Sequence, residues 1–327
     1  MNLRRMCFNF VAKISRARYR FGDTIYITRS NYVPLARTIY YLSRRPRDVY
    51  VDQQPVDGIH GVRLIPKNKS SRVILYVYGG WFVMELKVMK YPSIPFAATL
   101  AKEANAEVWI PEYRASPEYG YPSQGEDCLA SYMSLINRGV SPQDITVIGM
   151  SSGATLALGL VHELKRKNLP LPGSIATISA WTDLAMTAKS ITERADLDPV
   201  FNADTIRGYF SHYLQGFDPT DPLASPYYGD FKDFPPMYMM VGGCELFYDD
   251  TIRTAEKAKA AGVNVTLDVK EDMIFNYPIY YEFIDEGRAA ISRLASFVKE
   301  TGAHKKAVPL KNNAGSREKK SGTKMIS

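Results

Sequence analysis

Apolar positions recur along this chain in two alternating periods. Val73-Ile74-Leu75-Tyr76-Val77 is an unbroken apolar run rich in β-branched residues and predicts a buried strand. Residues 49–65 alternate in short segments around Gly58 and Gly61, the pattern of antiparallel strands at a sheet edge. Further strands are predicted over 107–110, 145–148, 175–179, 236–241 and 263–269. Helical spacing is predicted between them, over 95–104, 126–137, 249–261 and 282–299, and the first stretch, 21–45, also reads as helical. Such alternation predicts an α/β fold, a mainly parallel sheet wrapped by helices. Residues 183–226 break the rhythm with a helix of their own near 203–213 and are expected to form a lid.

The resulting layout has a basic arm with cap helices at 1–47 and a core at 48–182 and 227–300. The lid at 183–226 interrupts the core, and a basic tail at 301–327 is expected to be disordered. No internal repeat is present. The 327 residues and 46% hydrophobic content suit a full globular core. Three cysteines, Cys7, Cys128 and Cys244, are odd in number and far apart, so they form neither a disulfide framework nor a zinc site. They suit a reducing, cytoplasmic compartment. A mitochondrial-type presequence at the basic, acid-free start is the alternative.

Charge sharpens this picture. Residues 1–20 carry +6 with no acid and residues 301–327 another +6, so the overall +7 leaves −5 on the body. A mildly acidic body argues against nucleic-acid binding, because a basic footprint should lie on the domain itself. No apolar run reaches the roughly 18–20 residues of a membrane span, since the run from Val73 to Leu86 is broken by Gly79-Gly80. Oligomeric state stays open.

The candidate chemistry starts at Gly149-Met150-Ser151-Ser152-Gly153. A strand leads into it, and a helical pattern with Leu156, Leu158, Leu160, Val161 and Leu164 follows. Strand, Gly-x-Ser-x-Gly and helix together predict a nucleophile elbow with Ser151 at the turn. The N–H groups opening the helix favour negative charge there.

With that elbow, Tyr113-Arg114-Ala115-Ser116-Pro117-Glu118, Trp181-Thr182-Asp183-Leu184 and Asp221-Pro222-Leu223-Ala224-Ser225-Pro226 resemble the hormone-sensitive-lipase-like branch of the α/β-hydrolases over about residues 48–300. The resemblance implies an α/β-hydrolase fold with a helical cap and carboxylic ester hydrolysis. Arg114 and Glu118 are expected to form a scaffold ion pair. Mapped onto the family's pattern, Ser151 is the nucleophile and Glu245 the acid. The oxyanion hole comes from the amides of Gly80, Trp81 and Ser152.

Several positions depart from the pattern. The oxyanion loop reads Tyr78-Gly79-Gly80-Trp81 where the family has His-Gly-Gly-Gly, and Met150, Ser152 and Ala154 replace the usual elbow neighbours of the serine. The family's histidine falls on Phe275 in Met273-Ile274-Phe275-Asn276-Tyr277. Phenylalanine accepts no proton, so Ser151 has no base at that position.

Only four histidines exist. His162 is eleven residues along the helix from Ser151, about 16 Å away at 1.5 Å per residue. His60 belongs to the edge strands and His304 to the tail; His212 on the lid helix is the one that can swing over the site, with Glu271 and Asp272 as carboxylate alternatives.

Three functions remain open. One is a degenerate esterase whose pocket, lined by Tyr78, Trp81 and Phe275, takes a small apolar or ester-like molecule. Another is an active carboxylesterase with an unusual base. The third is an interaction role in which the basic ends act and the pocket is vestigial. No cofactor or metal is expected: Gly79-Gly80 is no dinucleotide fingerprint, and no cluster has metal-ligand spacing.

Overall fold

The computed structural model describes residues 25–301. The expectations for residues 1–24, for His304 and for the tail beyond residue 301 lie outside the described residues. Eight strands form one sheet in the order β1-β2-β4-β3-β5-β6-β7-β8. They are β1 (Val49–Asp52), β2 (Gly61–Pro66), β3 (Val73–Val77), β4 (Glu107–Pro111), β5 (Ile145–Met150), β6 (Ser174–Ile178), β7 (Met237–Gly242) and β8 (Val265–Lys270). β2 runs antiparallel to both β1 and β4, and every pairing from β4 to β8 is parallel. The continuous apolar runs of β3, β4, β5, β6 and β7 are buried at every position, as strands covered on both faces must be.

The helices are α1 (Ile25–Leu42), α2 (Leu86–Ala104), α3 (Ser123–Asn137), α4 (Ser152–Arg166), the single turn α5 (Ser190–Glu193), α6 (Ala203–Leu214), α7 (Tyr248–Ala260) and α8 (Asp285–Thr301). α2 packs on both α1 and α8; α3 packs on α4, and the turn Pro226–Tyr228 bridges α4 to α7. α5 and α6 fall within the 183–226 segment. α6 starts on an Asn202 cap whose side chain accepts from the Thr205 amide. It turns Ile206, Tyr209, Phe210 and Tyr213 inward. No helix among the described residues is long and apolar enough to cross a membrane.

Two expectations need correction. α2 starts at Leu86, not at residue 95, and contains Pro92 and Pro95. Proline marks helix starts locally, but here Ile94, Phe96, Ala97 and Leu100 are buried, and that burial offsets the lost backbone hydrogen bonds. Arg114 and Glu118 do not pair with each other. Arg114 forks onto Asp127 at 2.9 Å and reaches Glu126, while Glu118 holds Arg29 of α1 through two 2.7 Å bonds. Arg29 also donates to the Val83 and Ser116 carbonyls, tying α1 to the loop that follows β3.

Candidate active site

The site stands at the carboxyl ends of β3, β5, β6 and β7, where parallel sheets gather their functional loops. Ser151 links β5 to α4 with φ 58° and ψ −129°, a conformation costly for any residue with a Cβ. Its amide donates to the Ile178 carbonyl at 2.8 Å, and its carbonyl accepts from Ala154. The glycines on either side are required by close approach. A Cβ at Gly149 would stand 2.5 Å from the backbone of Gly153 and Ala154, and one at Gly153 would run into the Val77 and Tyr78 carbonyls. This packing, with Ser152 starting α4, holds the turn. The Ser151 hydroxyl is buried and has no hydrogen-bond partner among the described residues.

The loop after β3 lies against this serine: a Cβ on Gly79 would come 2.8 Å from that of Ser151. Trp81 and Phe82 follow, both left-handed at φ 57° and 64°. Such backbone in two successive aromatic residues persists only when its surroundings over-determine it. Two features do so. Phe82 stacks on Tyr213 of α6 at 3.9 Å between ring centres, and Trp81 stacks on Tyr209 at 5.4 Å with Tyr32 of α1 edge-on at 5.1 Å. The hydroxyl of buried Ser152 also accepts from the Gly80 and Phe82 amides at 3.2 and 3.3 Å. Of the three expected oxyanion donors, the Gly80 amide is thus engaged inside the protein. Sequence reasoning gave Ser152 an amide role and missed its side chain.

Glu245 follows β7 and is fully buried. One carboxyl oxygen accepts from the Gly242 amide at 2.6 Å and from the Ser179 hydroxyl at 2.8 Å; the other has no partner among the described residues. Burial holds its pKa well above the usual carboxylate range, only partly opposed by those two donors, so the neutral acid is favoured. Ser179 has a left-handed φ of 51° and also accepts from the Asn276 amide at 3.0 Å. Phe275, the residue before Asn276, is thereby set beside this network. No local pattern in the sequence marks Ser179.

Phe275 is buried in an aromatic cluster. Its ring meets Phe201 edge-on at 4.8 Å and lies 6.1 Å from Trp181, which stacks on Phe247 at 4.6 Å. Phe201 also reaches Trp81 at 6.2 Å, so it stands between the two expected lining residues and fills the space they would share. Tyr78 is elsewhere. It is buried and stacked on Tyr113 at 4.2 Å, and shares no ring contact with Phe275.

The alternative histidine and the carboxylates are exposed, whereas Ser151 is buried. His212 sits on α6 at the flank of the buried face formed by Ile206, Tyr209, Phe210 and Tyr213. His60 is exposed. His162 packs against Phe231 and Phe234, where burial pushes its pKa down to about 4. Glu271 and Asp272 are exposed. No group of three or more His, Cys, Asp and Glu among the described residues is placed to hold a metal ion.

Comparison with known proteins places this geometry among hydrolases. The profile of a family described by the alpha/beta hydrolase fold matches residues 74–279. An acetyl-hydrolase of Streptomyces hygroscopicus is 32% identical over 234 residues, 72% of this chain and 77% of that protein. An esterase of Acinetobacter venetianus is 27% identical, covering 77% of this chain and 83% of the relative. Among solved structures, an esterase from the bacterial hormone-sensitive lipase family superposes with a TM-score of 0.82 at 28% identity, over 90% of this chain and 97% of its own.

Proposed function

Because the chain belongs to the α/β-hydrolase fold family, in its hormone-sensitive-lipase-like esterase branch, we propose that it is an esterase scaffold with little or no turnover. In this reading it retains a small apolar or ester-like molecule at the former reaction centre. The observation that carries the proposal is the Ser151 hydroxyl: buried on a strained elbow, yet without a hydrogen-bond partner among the described residues. A serine becomes a nucleophile only when a neighbouring base takes its proton as the bond forms. The position beside Glu245 from which a histidine would do so holds Phe275.

Magnitudes favour the loss. Removing the histidine of a serine triad costs on the order of a million-fold in kcat, and an oxyanion hole with binding alone leaves roughly 10³–10⁴ over water. Here the Gly80 amide is directed at Ser152, which weakens even that remainder. Burial shifts the Glu245 carboxyl toward its neutral form, which lessens the need for a cation beside it and suits an aromatic ring in place of an imidazole. Trp81, Phe201, Tyr209 and Phe275 supply flat apolar walls for such a molecule. Oxyanion stabilisation by Trp81 and Ser152 amides remains part of the proposal as a way to hold an ester carbonyl.

The test is hydrolysis of p-nitrophenyl acetate and butyrate by the wild type beside Ser151→Ala. Equal rates near the buffer blank are expected. A rate well above blank that disappears in Ser151→Ala would overturn the proposal.

A further inference from the structure

The surface where α1 ends and β1 begins is unlike the rest of the described exterior. Tyr41, Leu42 and Tyr50 are 77%, 59% and 67% exposed, three of the six exposed large apolar side chains among the described residues, and they fall within ten positions. Arg44, Arg45, Arg47 and Lys67 are exposed near them and form no close ion pair among the described residues, although Asp48 acts on Lys67 at longer range. The neighbouring acids are already engaged: Asp48 pairs with Lys102 at 3.1 Å, and Glu107 with Lys69 at 2.8 Å and Arg63 at 2.7 Å. Arg45, Arg47, Lys67 and Lys69, with Asp48 as the one acid, line an open cavity of about 800 Å³ that Tyr50 and Ile65 border. Arg45 lies over the ring of Tyr40, which touches Tyr41 edge-on at 5.5 Å, so the cations and the aromatic rings form one patch. Nearby, Arg37 and Lys90 both stand over Tyr91.

We propose that this patch docks on an anionic lipid bilayer, with Leu42, Tyr41 and Tyr50 entering the headgroup layer and the surrounding cations facing lipid phosphates and carboxylates. Charge complementarity selects the partner. The patch carries uncompensated positive charge although the body as a whole is acidic, and residues 1–20 and 301–327, each +6, add to that charge instead of neutralising it. Neither end of the chain is therefore complementary to the patch. The exposed Leu and Tyr decide between an anionic membrane and a nucleic acid. A polyanion in water offers Leu42 nothing, whereas the boundary between headgroups and acyl chains accepts an aliphatic side chain and phenol rings together with cations.

The full chain is tested by co-sedimentation at about 0.1 M salt with vesicles of phosphatidylcholine alone and vesicles containing about one-third phosphatidylserine. Binding is expected only to the latter. The triple variant Arg45→Glu, Arg47→Glu, Lys67→Glu should lower the partition by about a hundred-fold or more. Leu42→Ser with Tyr50→Ser leaves the charge unchanged and should lower it roughly ten-fold. Circular dichroism checks that the fold survives, and Leu42→Ser alone carries the test if Tyr50→Ser disturbs β1. Wild-type binding by the charge-neutral variant would overturn the proposal, because the basic ends would then suffice. So would indifference to phosphatidylserine, or a patch-dependent binding of RNA tighter than that of vesicles.

Discussion

The elbow follows β5 and the acid corner gathers beyond the ends of β6, β7 and β8 in the same sheet, yet different forces hold them. At the elbow, backbone packs against backbone: Gly149 and Gly153 are fixed by main-chain atoms of α4, Val77 and Tyr78, and Ser151 takes the one conformation that lets α4 leave β5. At the acid corner, side chains on loops do the work: Glu245, Ser179 and the Asn276 amide form a network that Phe275 flanks without joining. The first arrangement is demanded by the fold whether or not the serine reacts. The second is demanded only by chemistry, and there a phenylalanine, Phe275, flanks the network. Persistence of Gly-x-Ser-x-Gly therefore says much about architecture and little about turnover.

The sharpest way to break this contrast is at the elbow itself. Gly153→Ala places a methyl group against two carbonyl oxygens that belong to β3 and its exit, and main chain cannot rotate away as a side chain can. A loss of about 3 kcal/mol or more, or failure to accumulate as folded protein, is expected in chemical denaturation. Gly125→Ala on α3 is the control: nothing stands within 4 Å of its Cβ, so helix propensity alone should leave it neutral or slightly more stable. Equal stability of the two variants would mean that the elbow is not held by close approach.

Phe275→His probes the opposite side. Replacing a buried phenylalanine by imidazole puts a base beside Glu245 and sacrifices some packing on Phe201. Ser151-dependent hydrolysis of p-nitrophenyl butyrate should rise ten- to hundred-fold over wild type, about 1.4–2.7 kcal/mol in barrier. The gain stays far below a full triad because the Gly80 amide is engaged by Ser152. It must vanish in Ser151→Ala with Phe275→His. No gain at all would show that the corner lost more than its base.

How much of this was legible beforehand follows the same division. The sheet, its edge strands and the elbow were legible, because burial on both faces leaves unbroken apolar runs and close approach leaves glycines. That Phe275 accepts no proton was also legible, since one residue type either does so or does not. Placement of side chains was not. Nothing in Ser151-Ser152 tells that the second hydroxyl turns to the Gly80 and Phe82 amides, nor that Tyr78 stacks on Tyr113 while Phe201 packs against Phe275. Those choices depend on contacts between segments distant in the chain, 72 residues for Ser152 and Gly80 and still farther for the Phe82–Tyr213 stack. The exposure of His212 was hidden for a similar reason: it is set by the helix phase that Tyr209, Phe210 and Tyr213 impose on α6.

The smallest expected effect is the most diagnostic of the acid corner. Glu245 is buried with one oxygen unpartnered among the described residues, and burial raises its pKa well above the usual range near 4.5. In the unfolded chain it ionises at that usual value. Between the two, the folded protein binds more protons than the unfolded chain, so stability falls as pH rises, by at most about 1.4 kcal/mol per pH unit for one group. Below the unfolded value both states are protonated and the penalty is absent. Glu245→Gln cannot ionise, so its stability should decline less steeply from pH 5 upward, while a constant offset reflects the amide NH₂ that takes the unpartnered place. Asp250 of α7, whose pKa burial pushes up to about 7, contributes a slope of the same sign and remains in both proteins, so the difference between the two curves belongs to Glu245. Parallel curves across that range would mean that Glu245 ionises as readily folded as unfolded. A partner charge would then have to reach its free oxygen, and the aromatic corner would be a working acid site after all.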